Sequence, residues 1–301
     1  MDSELRPLAP GVYAYLQPPG GWCVSNAGLL TGAGSAALID TTATESRARR
    51  LYDTAVATAG RSPGIVVNTH HHGDHTFGNF VFAGEATVIA HEAARTEMAD
   101  KGTGLRRVWP DVGWGEISVA LPDLTFTERL SLHIGDLHAE LRYVGPAHTS
   151  NDVVVWLPEH GVLFAGDVLM AGATPFVLMG SLSGSLQAVA ALRRLPGLHT
   201  VVCGHGPVCG PEVLDVTEGY LTWLAAVAAD GVRRGWNPLE AARRADLGEF
   251  ATLTEPERLV ANLHRAYAEE RGAPRGIHLP SAPAFDEMVA YNGGRPLTCR
   301  A

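Results

Sequence analysis

Long apolar runs are missing from this 301-residue sequence; no stretch approaches the ~20 consecutive apolar residues that a membrane span requires. The N-terminal residues MDSELRPLAPG have neither a basic start nor an apolar signal core, so a cytoplasmic location and no membrane partner are expected. Cysteine is scarce. Its four residues, Cys23, Cys203, Cys209 and Cys299, are too few and too scattered for a disulfide framework. Lysine is almost absent, with Lys101 the only one, and the formal net charge is -9. Such a chain lacks the excess of basic side chains that phosphate binding needs, which argues against nucleic acid as a partner. Low-complexity segments, short-period repeats and charged linkers are also missing. One domain is therefore expected over residues 1–301, with a core over about 1–211 and a helical C-terminal extension over about 212–301.

What is present is 46% hydrophobic residues, enough for a sizeable buried core. Residues 11–17, 22–31 and 36–40 are short β-prone runs separated by Gly-rich turns, as in an antiparallel meander. Apolar positions at helical spacing over 43–60 end on Gly60, and the apolar run GIVVNT then reads as a buried strand. It delivers the chain directly into HHHGDH at 70–75. A strand and helix follow in ATVIAHEAARTEMAD. The second half offers strand-like runs LTFTERLSLHIG, AELRYVG, DVVVWLP and GVLFAG, a helix around 184–195 and a strand TVVCG, so it repeats the first half in kind. Beyond 212 the pattern is mainly helical.

In HHHGDH, His70 and His72 alternate like side chains on an extended chain, while the turn at Gly73 brings Asp74 and His75 to a second point in space. Imidazole and carboxylate suit zinc, and the same set would accept iron or manganese. His148 in GPAHTSND, Asp167 in LFAGDVL and His205 in VVCGHGP each stand just past a strand-like run at a glycine-containing turn. A loop at the C-terminal end of a strand is where open α/β sheets commonly place ligands. All these residues can converge on one sheet edge.

This combination, HxHxDH followed by a later His, a GD aspartate and a GH histidine, resembles the ligand pattern of the metallo-β-lactamase superfamily. The resemblance implies an α/β fold of the αββα sandwich type. It also implies two Zn2+ ions, the first held by His70, His72 and His148, the second by Asp74, His75 and His205, with Asp167 bridging them. Asp74 and Asp167 are the carboxylates expected to take part directly in catalysis, and Asp40 matches a family aspartate that supports the site. A metal lowers the pKa of the water it holds from about 15.7 to about 7, so hydrolysis needs no Ser or Cys nucleophile.

Aspartate at 167 resembles the esterases, lactonases and glyoxalase II-type thioesterases of the superfamily, since its β-lactamases carry Cys or Ser around that element. The segments GVYAYLQPPGGWCVSNAGLL, VWPDVGWGEI, VGPAHTSNDVVVWLPEHGVLFAGDVLMAGATPF and MVAYNGG further resemble the cyclase and thioesterase proteins of bacterial aromatic polyketide pathways, the actinorhodin type among them. That likeness implies a small-molecule acyl thioester as substrate, a polyketide on an acyl carrier protein, with hydrolysis and ring closure. Lactone, ester or acyl-glutathione hydrolysis is the alternative within the class. An iron-dependent oxidoreductase is the alternative outside it.

Trp109, Trp114 and Phe176 are the expected aromatic walls of a substrate pocket. Arg106 with Arg107, Arg193 with Arg194, or Arg47, Arg49 and Arg50 are candidate patches to steer an acidic carrier protein onto this acidic chain. His91, at a strand-to-helix turn, is a candidate to orient a metal ligand. His71 is expected to point away from its two neighbours.

Overall fold

Alternation of side chains along the strands divides the core into three buried layers. The computed structural model describes residues 3–301. Its first sheet runs, in spatial and sequence order alike, β1 (Glu4–Ala9), β2 (Val12–Leu16), β3 (Ala27–Gly32), β4 (Ser35–Ile39), β5 (Ile65–Val67), β6 (Thr87–His91) and β7 (Leu124–Phe126). Pairing is antiparallel from β1 to β4 and parallel from β4 to β7. The parallel joins are made by α1 (Glu45–Ala59), by the short α2 (Gly73–Thr76) and α3 (Asn79–Phe82), and by α4 (Glu92–Lys101).

The second sheet contains β8 (Arg129–Ile134), β9 (Leu137–Tyr143), β10 (Val153–Leu157), β11 (Val162–Met170) and β12 (Thr200–His205). β8 to β11 form an antiparallel meander, and α5 (Leu182–Leu192) carries the chain across to a parallel β12. From Glu212 onward the regular elements are helical: α6 (Glu212–Arg234), α7 (Pro238–Arg244), α8 (Arg258–Glu270) and α9 (Ser281–Tyr291).

In β10, Val153, Val155 and Leu157 face the first sheet, where they meet Leu30, Ile39 and Val67. Val154 and Trp156 face the other way, into a cluster with Val189, Leu224, Val260 and Leu263. The two-residue period of a strand produces this division. In β4 the same period sends Leu38 outward against Leu51 and Ala55 of α1 and Ile39 inward. The result is helices, sheet, sheet, helices, the expected αββα sandwich, with α6 and α8 thickening the outer layer of the second sheet. Among the described residues no helix is long and apolar enough to cross a membrane.

Two expectations need correction. The run Leu124–Gly135 is two strands, because the ladder with β6 ends at Phe126 and the chain crosses to the second sheet before Arg129. Residues 22–26 are not strand: Cys23 has φ 60°, and Asn26 Nδ2 donates to Cys203 O (2.9 Å) and Gly206 O (2.7 Å), so this stretch is tied to the far end of the second sheet. Helix α9 falls within the expected helical extension, with Ala284 and Met288 buried four residues apart on one face.

Candidate metal centre

The candidate ligands gather at one edge of the sandwich, in the loops after β5 and β9, at the end of β12 and, for Asp167, within β11. β5 releases the chain at Val67, Thr69 lies in the turn that follows, and its carbonyl accepts from Val153 N (2.7 Å), pinning the histidine loop to the second sheet. Asn68 Nδ2 (3.1 Å) and Thr41 Oγ1 (3.0 Å) both donate to His75 O, which holds the turn of α2 in place. Asp167 lies within β11, directly after Gly166 at φ 52° and a break in the register with β12. A side chain there would be strained and would overlap Thr69, so glycine is required.

The seven predicted residues come together in two groups, His70, His72, His148 and Asp167, and Asp74, His75 and His205. Asp167 sits between the groups: its Oδ1 is 3.1 Å from His75 Nε2, and its Oδ2 is 3.4 Å from His148 Nε2 and 3.3 Å from His205 Nε2. Asp74 Oδ2 is 3.3 Å from His205 Nε2.

Neighbouring acceptors fix which ring nitrogens are free. His148 Nδ1–H donates to Phe176 O (2.5 Å), His205 Nδ1–H to Val24 O (3.1 Å) and His75 Nδ1–H to Asp40 Oδ2 (2.8 Å). Thr69 Oγ1 gives its own proton to Asp40 Oδ2 (2.7 Å) and so accepts from His70 Nδ1 (3.1 Å). In His72 the roles are reversed, because Nε2–H points to Met179 Sδ (3.2 Å) and Nδ1 turns inward. With the outer nitrogens bonded in this way, the inward nitrogen of each ring is the one left to meet a metal.

Two observations show that this donor set fits a pair of cations. His70 Nε2 is buried without a hydrogen-bond partner, and His75 Nε2 and Asp167 Oδ1, though 3.1 Å apart, make no hydrogen bond, an expensive state for buried polar atoms that an ion would relieve. His72 Nδ1 and His148 Nε2 lie 2.9 Å apart, close enough that one cation could take both nitrogens in place of the hydrogen bond between them. Burial holds His148 down at about 4 and keeps His70 and His72 well below the ordinary histidine range, so these rings are neutral ligands. Burial alone would lower His205 too, but Asp167 and Asp74 beside it carry it up to about 9.

Asp40 supports the site as expected, accepting from His75, Thr69 N (2.7 Å) and Thr69 Oγ1 at once. His91 does not. Its Nε2–H donates to Thr127 O (3.0 Å), its Nδ1 caps α4 by accepting from Ala93 N (3.1 Å), and its ring stacks on Tyr143, so the geometry that made it a candidate is helix capping. His71 turns away from the ligand cluster and bonds to Asn151.

Of the predicted aromatic walls, Trp109 and Phe176 border a small pocket of about 60 Å3 directly over the ligands. Trp114 is a correction. It is buried, its indole N–H donates to Trp109 O (2.9 Å) and its ring meets Phe77 edge-on, so it supports Trp109 from behind without lining either cavity. The same pocket is lined by Trp22, Cys23, Met170 and Arg258, which sequence reasoning missed. Cys203 and Cys209 flank His205 with sulfurs 3.8 Å apart, and neither lines this pocket.

A larger cavity of about 610 Å3 opens beside the cluster and shares His72 with it. Phe77, Leu105, Met179, Leu279, Phe285 and Leu297 supply apolar wall, while Glu97, Asp100, Lys101 and Arg107 also border it. Ten of its 24 lining residues lie beyond 275. The only signal for it in the sequence was the apolar spacing of Phe285 and Val289, one helical turn apart.

A sandwich of this topology with paired His and Asp clusters at one edge defines a metal-dependent hydrolase scaffold. The sequence agrees, for residues 20–205 match the metallo-beta-lactamase superfamily, and the chain belongs to it. It is 24% identical to a metallo-beta-lactamase type 2 of Bacteroides fragilis over 229 residues, 72% of this chain and 84% of that protein. It is 31% identical to a hydroxyacylglutathione hydrolase of Methylococcus capsulatus over 144 residues, so the match spans about half of each, 47% and 48%. Among solved structures, the metallo-beta-lactamase from Pontibacter korlensis superposes with a TM-score of 0.63 at 22% identity, covering 73% of this chain and 99% of that one.

Proposed function

We propose that this chain is a two-zinc hydrolase of acyl thioesters, acting on a polyketide intermediate carried by an acyl carrier protein. The observation that carries the reading is continuity: His72 belongs both to the ligand cluster and to the wall of the 610 Å3 cavity. That volume lies in the usual range for small-molecule sites.

His70, His72 and His148 would hold one ion, Asp74, His75 and His205 the other, and Asp167 both. Bound there, the ions supply a nucleophilic water ionised near neutral pH and neutralise charge that develops on the substrate oxygen. The chain's own residues do the rest. Phe77, Leu105, Phe285 and Leu297 receive an apolar acyl arm and displace water from it, with room for a folded arm to close a ring. Cys23, which lines the small pocket beside the cluster, is pushed well above the ordinary thiol range, chiefly by burial, and so stays protonated and does not compete as a nucleophile. A thiolate leaves without help from a protein acid, which suits a site whose inward nitrogens are left to meet metal. The hydroxyacylglutathione hydrolase relatives support the thioester by name.

For carrier docking the arginine patches are not equivalent. Arg193 is paired with Asp215 and Glu218, and Arg49 with Glu45. Arg107 lines the cavity and, among the described residues, makes no ion pair, which favours Arg106 and Arg107 as the steering patch. The test is turnover by the metal-loaded protein of an aryl or β-ketoacyl thioester, a lactone and a β-lactam of similar size. The thioester should show the highest kcat/KM, and faster turnover of the lactone would refute the thioesterase reading. Metal analysis of the purified protein should find about two zinc ions per chain, and iron would favour redox chemistry instead.

A further inference from the structure

We propose that helix α8, which lies outside the segment matching the superfamily, sets the geometry and metal affinity of the His70, His72 and His148 position, and that Asn262 is the positioning residue through which it acts. The inference rests on the metal-binding reading of that cluster.

Three polar side chains on α8, Arg258, Asn262 and Arg265, recur at i, i+4 and i+7, which places them on one helix face. All are buried, at 1%, 0% and 0% exposure. Polar groups on a buried face are destabilising unless each finds a partner. The partners they share are backbone atoms of one segment, residues 174–178, besides which Arg258 meets Met170 and Glu255, Asn262 Nδ2 donates to the Tyr220 hydroxyl (3.0 Å) and Arg265 Nη2 to Ile277 O (2.6 Å). Arg258 Nη1 donates to Thr174 O (3.0 Å), and Arg265 donates to Leu178 O through Nε (3.0 Å) and Nη2 (2.7 Å). Between them Asn262 makes a two-point clamp, its Nδ2 donating to Pro175 O (2.7 Å) and its Oδ1 accepting from Val177 N (2.8 Å).

The peptide unit that joins Phe176 to Val177 is the link to the metal centre. Its N–H is the one Asn262 Oδ1 accepts, and its carbonyl, Phe176 O, accepts from His148 Nδ1–H. A single planar amide therefore stands between Asn262 and a metal ligand, and hydrogen bonds through such a unit polarise one another. An acceptor on the N–H raises the electron density of the carbonyl, which strengthens the bond to His148 and makes its Nε2 a better donor to a cation. The segment also ends on the cluster: Met179 Sδ lies 3.2 Å from His72 Nε2, and Ser181 N donates to Ala147 O (2.7 Å), next to His148. His205, in contrast, is oriented by Val24 O, and its tie to α8 is indirect, through Arg258, which bonds to Met170 Sδ (2.9 Å) and stacks over Trp22 (4.2 Å). Control through Asn262 is thus selective for the first metal position.

The test reads zinc affinity at each position separately, by competition with a chelator, in two backgrounds. His205→Ala leaves the first position intact and His148→Ala leaves the second. Adding Asn262→Leu, which keeps the side-chain size but removes both polar atoms, should weaken zinc binding about tenfold in the first background, the lower end of what outer partners of ligands contribute, and leave the second unchanged. Asn262→Asp retains the Oδ1 acceptor and should restore the affinity. Equal weakening in both backgrounds, or none in either, would overturn the inference. If Asn262→Leu does not fold, the Val177 amide proton of the His205→Ala protein decides by nuclear magnetic resonance: it should move as zinc binds, and a fixed resonance would contradict the relay. Failure of both parent backgrounds to bind zinc at all would sink the metal-centre reading itself.

Discussion

A methyl group at position 204 would occupy the space that Asp167 Oδ1 uses. Gly204 lies in β12 beside β11, where the methyl would also meet the Gly166 backbone, so Gly204→Ala should displace the carboxylate shared by the two ligand groups and strain the β11–β12 pairing. Hydrolysis should fall at least about 100-fold, as expected when a metal ligand or its close support is disturbed. Asp167→Ala should lose activity to a similar degree without unfolding, with zinc content dropping below that of the parent. Near wild-type turnover in that variant would show that Asp167 does not join the two positions. At this scale the sequence was most informative, because His70, His72, Asp74, His75, His148, Asp167 and His205 sit in glycine-marked turns whose chemistry can be read directly. Trp22, Cys23 and Arg258 were illegible. Nothing in their local spacing signals a pocket, and 235 residues separate Trp22 from Glu257, whose Oε1 accepts from the Trp22 indole N–H.

At the scale of elements, the extension is held to the sandwich by close helix approach. A Cβ on Gly231 of α6 would collide with the Tyr267 hydroxyl of α8, so Gly231→Ala should destabilise the fold by about 1–3 kcal/mol, the range for overpacking. A denaturant titration would measure it, and an unchanged midpoint would show that α6 and α8 can separate. Trp156, buried in β10 against the helical layer, should cost about 3–5 kcal/mol when replaced by alanine. Strand and helix types were legible from periodicity, but periodicity carries no information about which sheet a strand joins. The run Leu124–Gly135 therefore read as one strand, and it took tertiary pairing to separate β7 from β8.

For the whole molecule, stripping metal should reveal the charge balance of the cluster. His205 is raised to about 9 against an ordinary value near 6.5. Its protonated form therefore stabilises the metal-free fold fully below pH ~6.5, and that contribution, at most about 3 kcal/mol, is lost as the pH rises through about 9. The melting temperature of chelator-treated protein should fall across that window, and a level profile would contradict the assignment. The αββα architecture was legible through the family resemblance, with which the likeness of the two halves agrees, whereas the cavity was not, since its wall joins α4 and the loop after it to residues beyond 275.

Each ligand group draws on both sheets: His70 and His72 precede the crossing at Thr127 and Glu128 while His148 follows it, and Asp74 and His75 precede it while His205 follows. Every ion held there is consequently a clasp between the two halves of the sandwich. The unfolded chain, with tens of residues between partners, has no such site. Metal should therefore act on folding by mass action, adding about 4 kcal/mol when free metal exceeds its dissociation constant a thousandfold. It should slow unfolding most where the two sheets part.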